Sequence, residues 1–320
     1  MRAAATTLGD RLAQVLTYRY LVLIPLVCFN FHVGHMERQS PYLTDNDFAE
    51  LDFKDRFSLA FELTKSYGLR LFAVLFIVGI LITGYAVFLL NMLGTGTIAM
   101  PVDGGQFNGD PSSILFGVLL LFILGFFIIP FLGVGIKFLA LHYVMGEEPE
   151  SVVATILAPA NRLGFFLICF FLWFATYIGF VIFSAVIEMV PWLGKLISFL
   201  LALFYYLVNN CASSYMADRG LYKGDMTDPV KAVSDPFRFV YGRFKAWSGA
   251  LLVVLMIFFL PGVLVGFGYG MVEGDNYFGL GLMAVGGLLM IFVAVFDIFM
   301  MIITYKHTSF TGGRLSDLFE

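Results

Sequence analysis

Six apolar runs of membrane-spanning length constrain this chain more than any other feature of its sequence. A transmembrane helix needs about 20 consecutive, mostly apolar residues, and each run is that long and is bounded by charges, Gly or Pro. Only 13% of the residues are charged and 60% are apolar, whereas water-soluble domains carry about 25% charged residues. The sequence therefore predicts an all-α integral membrane protein. The six predicted transmembrane helices are Leu71–Leu90, Ile114–Ile136, Leu163–Ile187, Leu196–Met216, Ala250–Val272 and Leu280–Tyr305.

The basic residues lie almost entirely on one side of these spans. Of the 19 Lys and Arg residues, eight precede the first span, two lie between the second and third, six lie between the fourth and fifth, and two follow the sixth. Lys195 alone falls in a loop on the opposite side. Cytoplasmic loops of membrane proteins carry an excess of Lys and Arg. We therefore expect a multi-pass protein with its N- and C-termini in the cytoplasm.

An amphipathic stretch precedes three of the spans. These stretches are Asn46–Tyr67, Pro149–Asn161 and Asp228–Trp247, and each mixes large apolar side chains with charges. Amphipathic helices of this kind lie in the headgroup region with the apolar face towards the hydrocarbon. The sequence thus predicts three units, each a cytoplasmic elbow helix followed by a transmembrane hairpin.

The N-terminal segment carries a shorter apolar run, Leu21–Val33, which is interrupted by Pro25. Thirteen residues are too few to span a bilayer as a helix, and no small-residue cleavage pattern of a signal peptide follows. An interfacial or re-entrant helix fits this run, and a seventh span with an external N-terminus is the alternative. The predicted organisation is residues 1–45 as this segment, 46–310 as the membrane domain and 311–320 as a cytoplasmic tail.

Several short motifs lie in the second half of the chain, namely Pro191-Trp192-Leu193-Gly194, Ala217-Asp218-Arg219-Gly220, Ala232-Val233-Ser234, Tyr241-Gly242-Arg243-Phe244, Leu260-Pro261-Gly262 and Thr304-Tyr305-Lys306-His307. Through these motifs residues 50–310 resemble a known six-helix membrane domain. That domain occurs fused to some bacterial glycerophosphodiester phosphodiesterases and alone in other inner-membrane proteins. The resemblance implies six helices and a bacterial inner-membrane location, but no activity, since the stand-alone members have no agreed activity and no phosphodiesterase domain is present in this sequence.

Asp297 is the most informative single residue, because it lies inside the sixth span. At 1.5 Å per residue it lies about 26 Å from the outer end, and Asn209 of the fourth span lies about 20 Å from its own outer end. Carboxylates at such depths face a partner or a watery cavity. We expect a polar cluster of Asp297, Asn209, Asn210 and Lys137. It is either a proton or ligand site, or polar packing between helices.

Glycine recurs at every fourth residue of the fifth span, at Gly262, Gly266 and Gly270. Small residues at this spacing let another helix approach closely. The stripe predicts either packing within the chain or a docking face for another subunit. Pro261 in the fifth span and Pro130 in the second are expected to kink their helices.

The basic residues of the third elbow are the candidates for contact with anionic lipids. Lys231, Arg238, Arg243 and Lys245 follow one another along this stretch. Basic side chains at an anionic leaflet gain about 1 kcal/mol each. Anchoring is the simpler interpretation, and recognition of a specific lipid headgroup is the sharper one.

The sequence contains no motif that indicates catalysis or cofactor binding. The four histidines, His32, His35, His142 and His307, lack metal-ligand spacing, and no phosphate-binding loop or nucleophile elbow is present. The three cysteines are widely separated, and the net charge of −4 provides no general basic surface for nucleic acid. We therefore predict no cofactor, no metal, no catalytic residues and no nucleic-acid partner.

Two functions are favoured by the sequence, and a third, an intramembrane enzyme, has the least support. The first is a non-enzymatic membrane protein that serves as a structural or accessory subunit of a larger assembly, in contact with lipids and with other subunits or further copies of itself. The second is a transporter or lipid-handling protein that uses the polar region around Asp297. Stoichiometric partners would favour the first function, and flux of a substrate would favour the second.

Overall fold

The computed structural model describes residues 45–94, 119, 123, 127–190, 192–273 and 277–311, and every regular element in these residues is helical. The predicted N-terminal segment and residues 312–320 of the predicted tail lie outside the described residues, except for Asp45. The α-helices are α1 Asp45–Glu50, α2 Phe53–Gly94, α3 Ile129–Val144, α4 Val152–Ile156, α5 Leu163–Glu188, α6 Leu193–Tyr215, α7 Lys231–Gly242, α8 Phe244–Glu273 and α9 Phe278–Thr311, with a 3₁₀ helix at Ala158–Arg162 and a π-helix at Met216–Tyr222.

Five helical stretches in the described part of the chain are long and apolar enough to cross a membrane. They are Phe53–Tyr85, Ala158–Glu188, Leu193–Tyr222, Phe244–Val272 and Phe278–Ser309. This confirms the prediction of an all-α, multi-pass membrane protein. Of the predicted second span, α3 contains the C-terminal end and continues to Val144, while most of residues 114–126 lie outside the described residues. The arrangement as three hairpins stays a prediction.

The first predicted elbow is not a separate helix. Only the short α1 precedes Phe53, and α2 then runs without a break for 42 residues, about 63 Å at 1.5 Å per residue. Gly68 is the one weak helix former at the predicted boundary, and a single Gly costs only about 1 kcal/mol in a helix. Helix α2 is about twice as long as the hydrocarbon core is thick. The predicted elbow is therefore the N-terminal part of the same helix that forms the first span.

The third elbow is a separate helix, whereas the second elbow overlaps the spanning stretch Ala158–Glu188 that follows it. The second consists of two short pieces, α4 and the 3₁₀ helix that contains Pro159. The third is α7, which ends where Arg243 leaves the helical conformation, one residue before α8 begins. The indole N–H of Trp173 on α5 donates to the carbonyl oxygen of Ala232 at 3.1 Å and ties α7 to the transmembrane bundle.

Helix α9 forms the centre of the described bundle. Its most apolar stretch is 56% buried, against 11–28% for the other four long helices. It packs along α8 and also contacts α1, α2, α3, α6 and α7. On α2 the buried residues Arg56, Ala60, Leu63, Thr64 and Leu71 recur at helical spacing, and Gly68 in the same face lies against Val295 and Phe292 of α9.

Two glycines permit close backbone contacts that no other residue would allow. A Cβ atom at Gly135 of α3 would lie 1.9 Å from the carbonyl oxygen of Ile156 on α4. A Cβ atom at Gly194, at the start of α6, would lie 2.2 Å from the carbonyl oxygen of Ile187 on α5. The second contact closes the predicted tight turn between the third and fourth spans, where Trp192 has a φ of 62°.

Candidate functional site

Three of the four residues predicted to form the intramembrane polar cluster come together between α3, α6 and α9. The Nζ of Lys137 on α3 donates to Oδ1 of Asn210 on α6 at 3.0 Å. Lys137 and Asp297 of α9 also interact electrostatically. Lys137 is 5% exposed and Asp297 is 8% exposed. The site therefore places a buried lysine, a buried carboxyl group and an amide between the three helices.

Tyr206 completes this cluster, and the sequence analysis did not include it. Its hydroxyl donates to Oδ2 of Asp297 at 2.7 Å, and its carbonyl oxygen accepts from Nδ2 of Asn210 at 3.2 Å. The other carboxylate oxygen, Oδ1 of Asp297, is buried without a hydrogen-bond partner. Tyr206 precedes Asn210 by four residues, so both side chains lie on the same face of α6, and this spacing was the signal available in the sequence.

Asn209 does not join the cluster. Adjacent residues of an α-helix point about 100° apart, so only one of Asn209 and Asn210 can face α3 and α9. Asn210 takes that position, and Asn209 is exposed on the outside of the described bundle.

A second buried polar centre lies where the π-helix meets the last turns of α9. Nζ of Lys306 donates to Oδ1 of Asp218 at 2.7 Å, and the hydroxyl of Tyr305 donates to Oδ2 of the same carboxylate at 2.9 Å. The side chains of Asp218 and Lys306 are 1% and 0% exposed. In the sequence, Asp218 follows the predicted fourth span and Lys306 follows the predicted sixth span. Both therefore lie on the same predicted side of the membrane, and this was the signal that they could form a pair.

Polar contacts also hold the π-helix and the segment that follows it. Arg162, which precedes α5, donates to the carbonyl oxygens of Gly220 at 2.8 Å and of Met226 at 2.9 Å. Beside the π-helix, the hydroxyl of Tyr222 donates to Glu147 at 2.7 Å, and His142 of α3 forms a 2.9 Å contact with the same carboxylate. The π-helix is therefore fixed to Arg162, at the end of the 3₁₀ helix, and to Glu147, just after α3.

The predicted glycine stripe on α8 faces away from α9. At Gly262, Gly266 and Gly270 an added Cβ atom would have no described atom of another element within 4 Å. The described part of the chain therefore does not pack against these glycines, and both predicted uses of the stripe, packing within the chain and a docking face for another subunit, stay predictions. Among the described elements α9 is the main neighbour of α8, and α8 turns a different side towards it.

Other glycines make the contact between α8 and α9. A Cβ atom at Gly268 would lie 2.6 Å from the carbonyl oxygen of Gly279, and one at Gly279 would lie 2.3 Å from that of Gly268. One at Gly286 would lie 3.0 Å from the carbonyl oxygen of Pro261. The sequence analysis did not identify these three glycines, because they are divided between two helices.

The predicted lipid contacts on the third elbow lie near the surface. Lys231, Arg238 and Lys245 are exposed, while Arg243, at the junction of α7 and α8, is half-buried. The buried face of α7 is formed by Ala232, Pro236 and Val240. Lys231 also lines a cleft of about 240 Å³, together with Tyr215, Arg219, Asp225, Met226, Thr227, Asp228 and Asp235.

The histidines in the described residues have ordinary protein partners. His142 contacts Glu147 and packs edge-on against Phe138, and His307 lies 3.0 Å from the carbonyl oxygen of Phe48. Among the described residues, no group of three or more His, Cys, Asp or Glu side chains is arranged to hold a metal ion. His32 and His35 lie outside these residues.

Comparison with known proteins finds no matching family, no similar curated protein and no similar solved structure. The similarity to the six-helix domain therefore stays a prediction from the motifs quoted above.

Proposed function

We propose that this protein is a non-enzymatic accessory subunit of a larger membrane assembly and that the stripe of Gly262, Gly266 and Gly270 on α8 is a contact face for another subunit. The observation that carries the proposal is the open space beside all three glycines. Each Gly inside a helix costs about 1 kcal/mol relative to Ala. The described part of the chain makes no close contact at these glycines that would offset that cost. We therefore infer that the glycines contact something other than the described residues.

The shape of this face suits a second helix. The three glycines follow one another at every fourth residue and expose the α8 backbone over about 12 Å at 1.5 Å per residue. Phe259 and Phe267, which flank them, are 73% and 68% exposed. A groove of small residues between large apolar side chains allows close packing of two helices within a membrane.

The test is the composition of the assembly extracted from native membranes in mild detergent. Gly266→Leu is expected to reduce a larger complex to the 35.7 kDa single chain without lowering its melting temperature. Gly281→Leu is the matched control, because Gly281 also faces open space but lies on α9, and this variant should keep the complex. If Gly266→Leu instead lowers the melting temperature and leaves the composition unchanged, the stripe packs within its own chain and the proposal fails.

The second candidate function is a transporter or lipid-handling protein centred on Asp297. The observation that favours it is the buried carboxylate oxygen Oδ1 of Asp297, which has no hydrogen-bond partner among the described residues. Intramembrane carboxylates of this kind serve in proton relays and ion pathways. Asp297 also accepts a hydrogen bond from Tyr206 of α6. A substitution at Asp297 can therefore change stability as well as activity, and the two have to be measured separately.

Proteoliposomes that contain the purified protein separate the two functions. A pH-sensitive dye inside the vesicles reports proton flux, and a fluorescent lipid reports movement between leaflets. Loss of either activity in Asp297→Asn, with unchanged melting and an active Asn209→Ala control, would place this candidate first. We expect no flux, tolerance of Asp297→Asn, and destabilisation by roughly 1–2 kcal/mol in Asp297→Leu from the lost hydrogen bonding.

A further inference from the structure

We propose that the cleft between the end of α6 and the start of α7 binds a phosphoethanolamine group, which carries a phosphate and a primary ammonium. The cleft has a volume of about 240 Å³, and its lining includes Tyr215, which ends α6, and Lys231, which begins α7. Pockets for drug-sized ligands measure about 300–1,000 Å³, so this volume suits one small polar group. The cleft shares no residue with the glycine stripe or with the Asp297 cluster.

Hydrogen bonds and an ion pair fix the walls of the cleft. The hydroxyl of Tyr215 donates to Oδ2 of Asp235 at 2.9 Å and joins α6 to α7. Arg219 of the π-helix forms an ion pair with Asp225, and the backbone N–H of Met226 donates to the carbonyl oxygen of Arg219 at 3.1 Å. The cleft is therefore formed before a ligand arrives, and binding does not have to order its walls.

Charged groups of both signs on the lining have unused hydrogen-bonding capacity. Within the described residues, the side chain of Lys231 makes no hydrogen bond or ion pair. Oδ1 of Asp228 accepts from the backbone N–H of Val230 at 2.9 Å, and Oδ2 of Asp235 accepts from Tyr215. The second carboxylate oxygen of each has no hydrogen-bond partner among the described residues. One ammonium group and two carboxylate oxygens are thus available to a ligand.

This set of charges favours a ligand that carries both signs over a simple ion. Since Arg219 and Asp225 neutralise each other, a simple anion at Lys231 would meet two uncompensated carboxylates. A simple organic cation would meet the ammonium of Lys231, and the described acidic residues form no group that could hold a metal ion. In a phosphoethanolamine group, the phosphate accepts from a lysine and the ammonium donates to carboxylates.

The position of the cleft in the fold suits a lipid headgroup. Helix α6 belongs to a stretch that is long and apolar enough to cross a membrane, and the cleft lies at its C-terminal end. Headgroups surround the ends of such helices. Two sources supply the same chemistry: the headgroup of phosphatidylethanolamine, and a soluble compound such as glycerophosphoethanolamine.

The test uses the full-length chain, delipidated in a non-ionic detergent, with binding followed by native mass spectrometry and thermal shift. The probes are glycerophosphoethanolamine and three dihexanoyl lipids: phosphatidylethanolamine, phosphatidylcholine, whose quaternary ammonium has no N–H group, and phosphatidylglycerol, which has no ammonium. We expect phosphatidylethanolamine to bind at least about tenfold more tightly than the other two lipids, because it alone makes charged hydrogen bonds with both its phosphate and its ammonium. Binding of glycerophosphoethanolamine as tightly as the lipid identifies a soluble ligand, and binding of the lipid alone identifies a headgroup.

Lys231→Gln tests the phosphate contact. It is expected to weaken binding of the tighter ethanolamine probe at least about tenfold, since a hydrogen bond between charged groups is lost. Arg238→Gln is the matched control, because it removes the same charge from an exposed position on α7 outside the cleft. It should change binding less than about threefold.

Asp228→Asn tests the ammonium contact and serves if Lys231→Gln does not fold. The amide oxygen can still accept from Val230, but the negative charge is gone, so the preference for phosphatidylethanolamine over phosphatidylcholine should fall below about threefold. Glu150→Gln, an exposed position outside the cleft, should keep the preference. Equal effects of test and control variants, equal binding of the three lipids, or no binding of either ethanolamine probe by the wild type would overturn the proposal.

Discussion

At the scale of single residues, the buried ion pair of Asp218 and Lys306 stabilises the fold, because removal of one partner leaves the other buried without its counter-charge. Asp218→Ala would deprive a fully buried ammonium of its carboxylate and the Tyr305 hydroxyl of its acceptor. Breaking a buried pair in this way costs roughly 3–5 kcal/mol. We expect a large fall in the melting temperature in detergent, measured by the unfolding of the purified protein.

Arg70→Ala is the control for this prediction. The pair between Arg70 and Glu148 has a similar N–O distance of 3.1 Å, but its side chains are 52% and 58% exposed. Exposed ion pairs contribute about 0–1 kcal/mol. Similar shifts in the two variants would show that burial does not determine the importance of Asp218.

The sequence predicted some of these residues but not others. Counting residues along each span gives depth, and depth was enough to bring Asp297, Lys137 and Asn210 together. It could not identify Tyr206 as their partner, because the direction in which a tyrosine hydroxyl points depends on the rotation of α6. Nor could it show that Asp218 is buried, because that burial depends on the π-helix and on the docking of α9.

At the scale of elements, α8 carries glycines on two faces. Gly268 contacts α9, whereas the stripe of Gly262, Gly266 and Gly270 does not. Gly268→Ala would force a Cβ atom to 2.6 Å from a backbone oxygen, so we expect destabilisation of about 1–3 kcal/mol, as for other overpacked sites. Gly266→Ala meets no described atom and gains helix propensity, so its melting temperature should equal or exceed that of the wild type. Melting of the two variants in the same detergent gives the comparison, and the reverse order would contradict the assignment of these faces.

Element boundaries could be predicted only where the sequence contains a strong break. Pro149 begins the second elbow and Pro159 lies in its 3₁₀ piece, and this elbow is a set of short helical pieces. Between Tyr67 and Leu71 the sequence offers only Gly68, and α2 continues through it. The glycine faces of α8 were ambiguous for a related reason, since spacing within one helix does not say which side its neighbour occupies.

At the scale of the whole molecule, the predicted orientation rests on the distribution of Lys and Arg. We expect a reporter fused after Glu320 to be active only as a cytoplasmic tag. A tag inserted within 94–110 should be accessible from the opposite side. Accessibility to a membrane-impermeant label measures both, and an external signal at Glu320 would reject the predicted orientation.

Composition and hydropathy were sufficient for the class of the molecule, because a chain with few charges and apolar runs of bilayer length has no other stable environment. Composition and hydropathy could not predict whether or where another subunit binds. Such contacts depend on which helix faces remain uncovered once the bundle has formed. In the described residues that information comes from α8 and α9, where one set of glycines is used and another is left open.

A photo-cross-linking amino acid at position 266, activated in native membranes, tests the central claim most directly. The same residue at position 281 is the control. We predict one dominant cross-linked product at 266 that joins two polypeptide chains and is missing at 281. Cross-links from 266 to residues 95–126 of the same chain, or to lipid alone, would contradict the proposal that this face of α8 contacts another subunit.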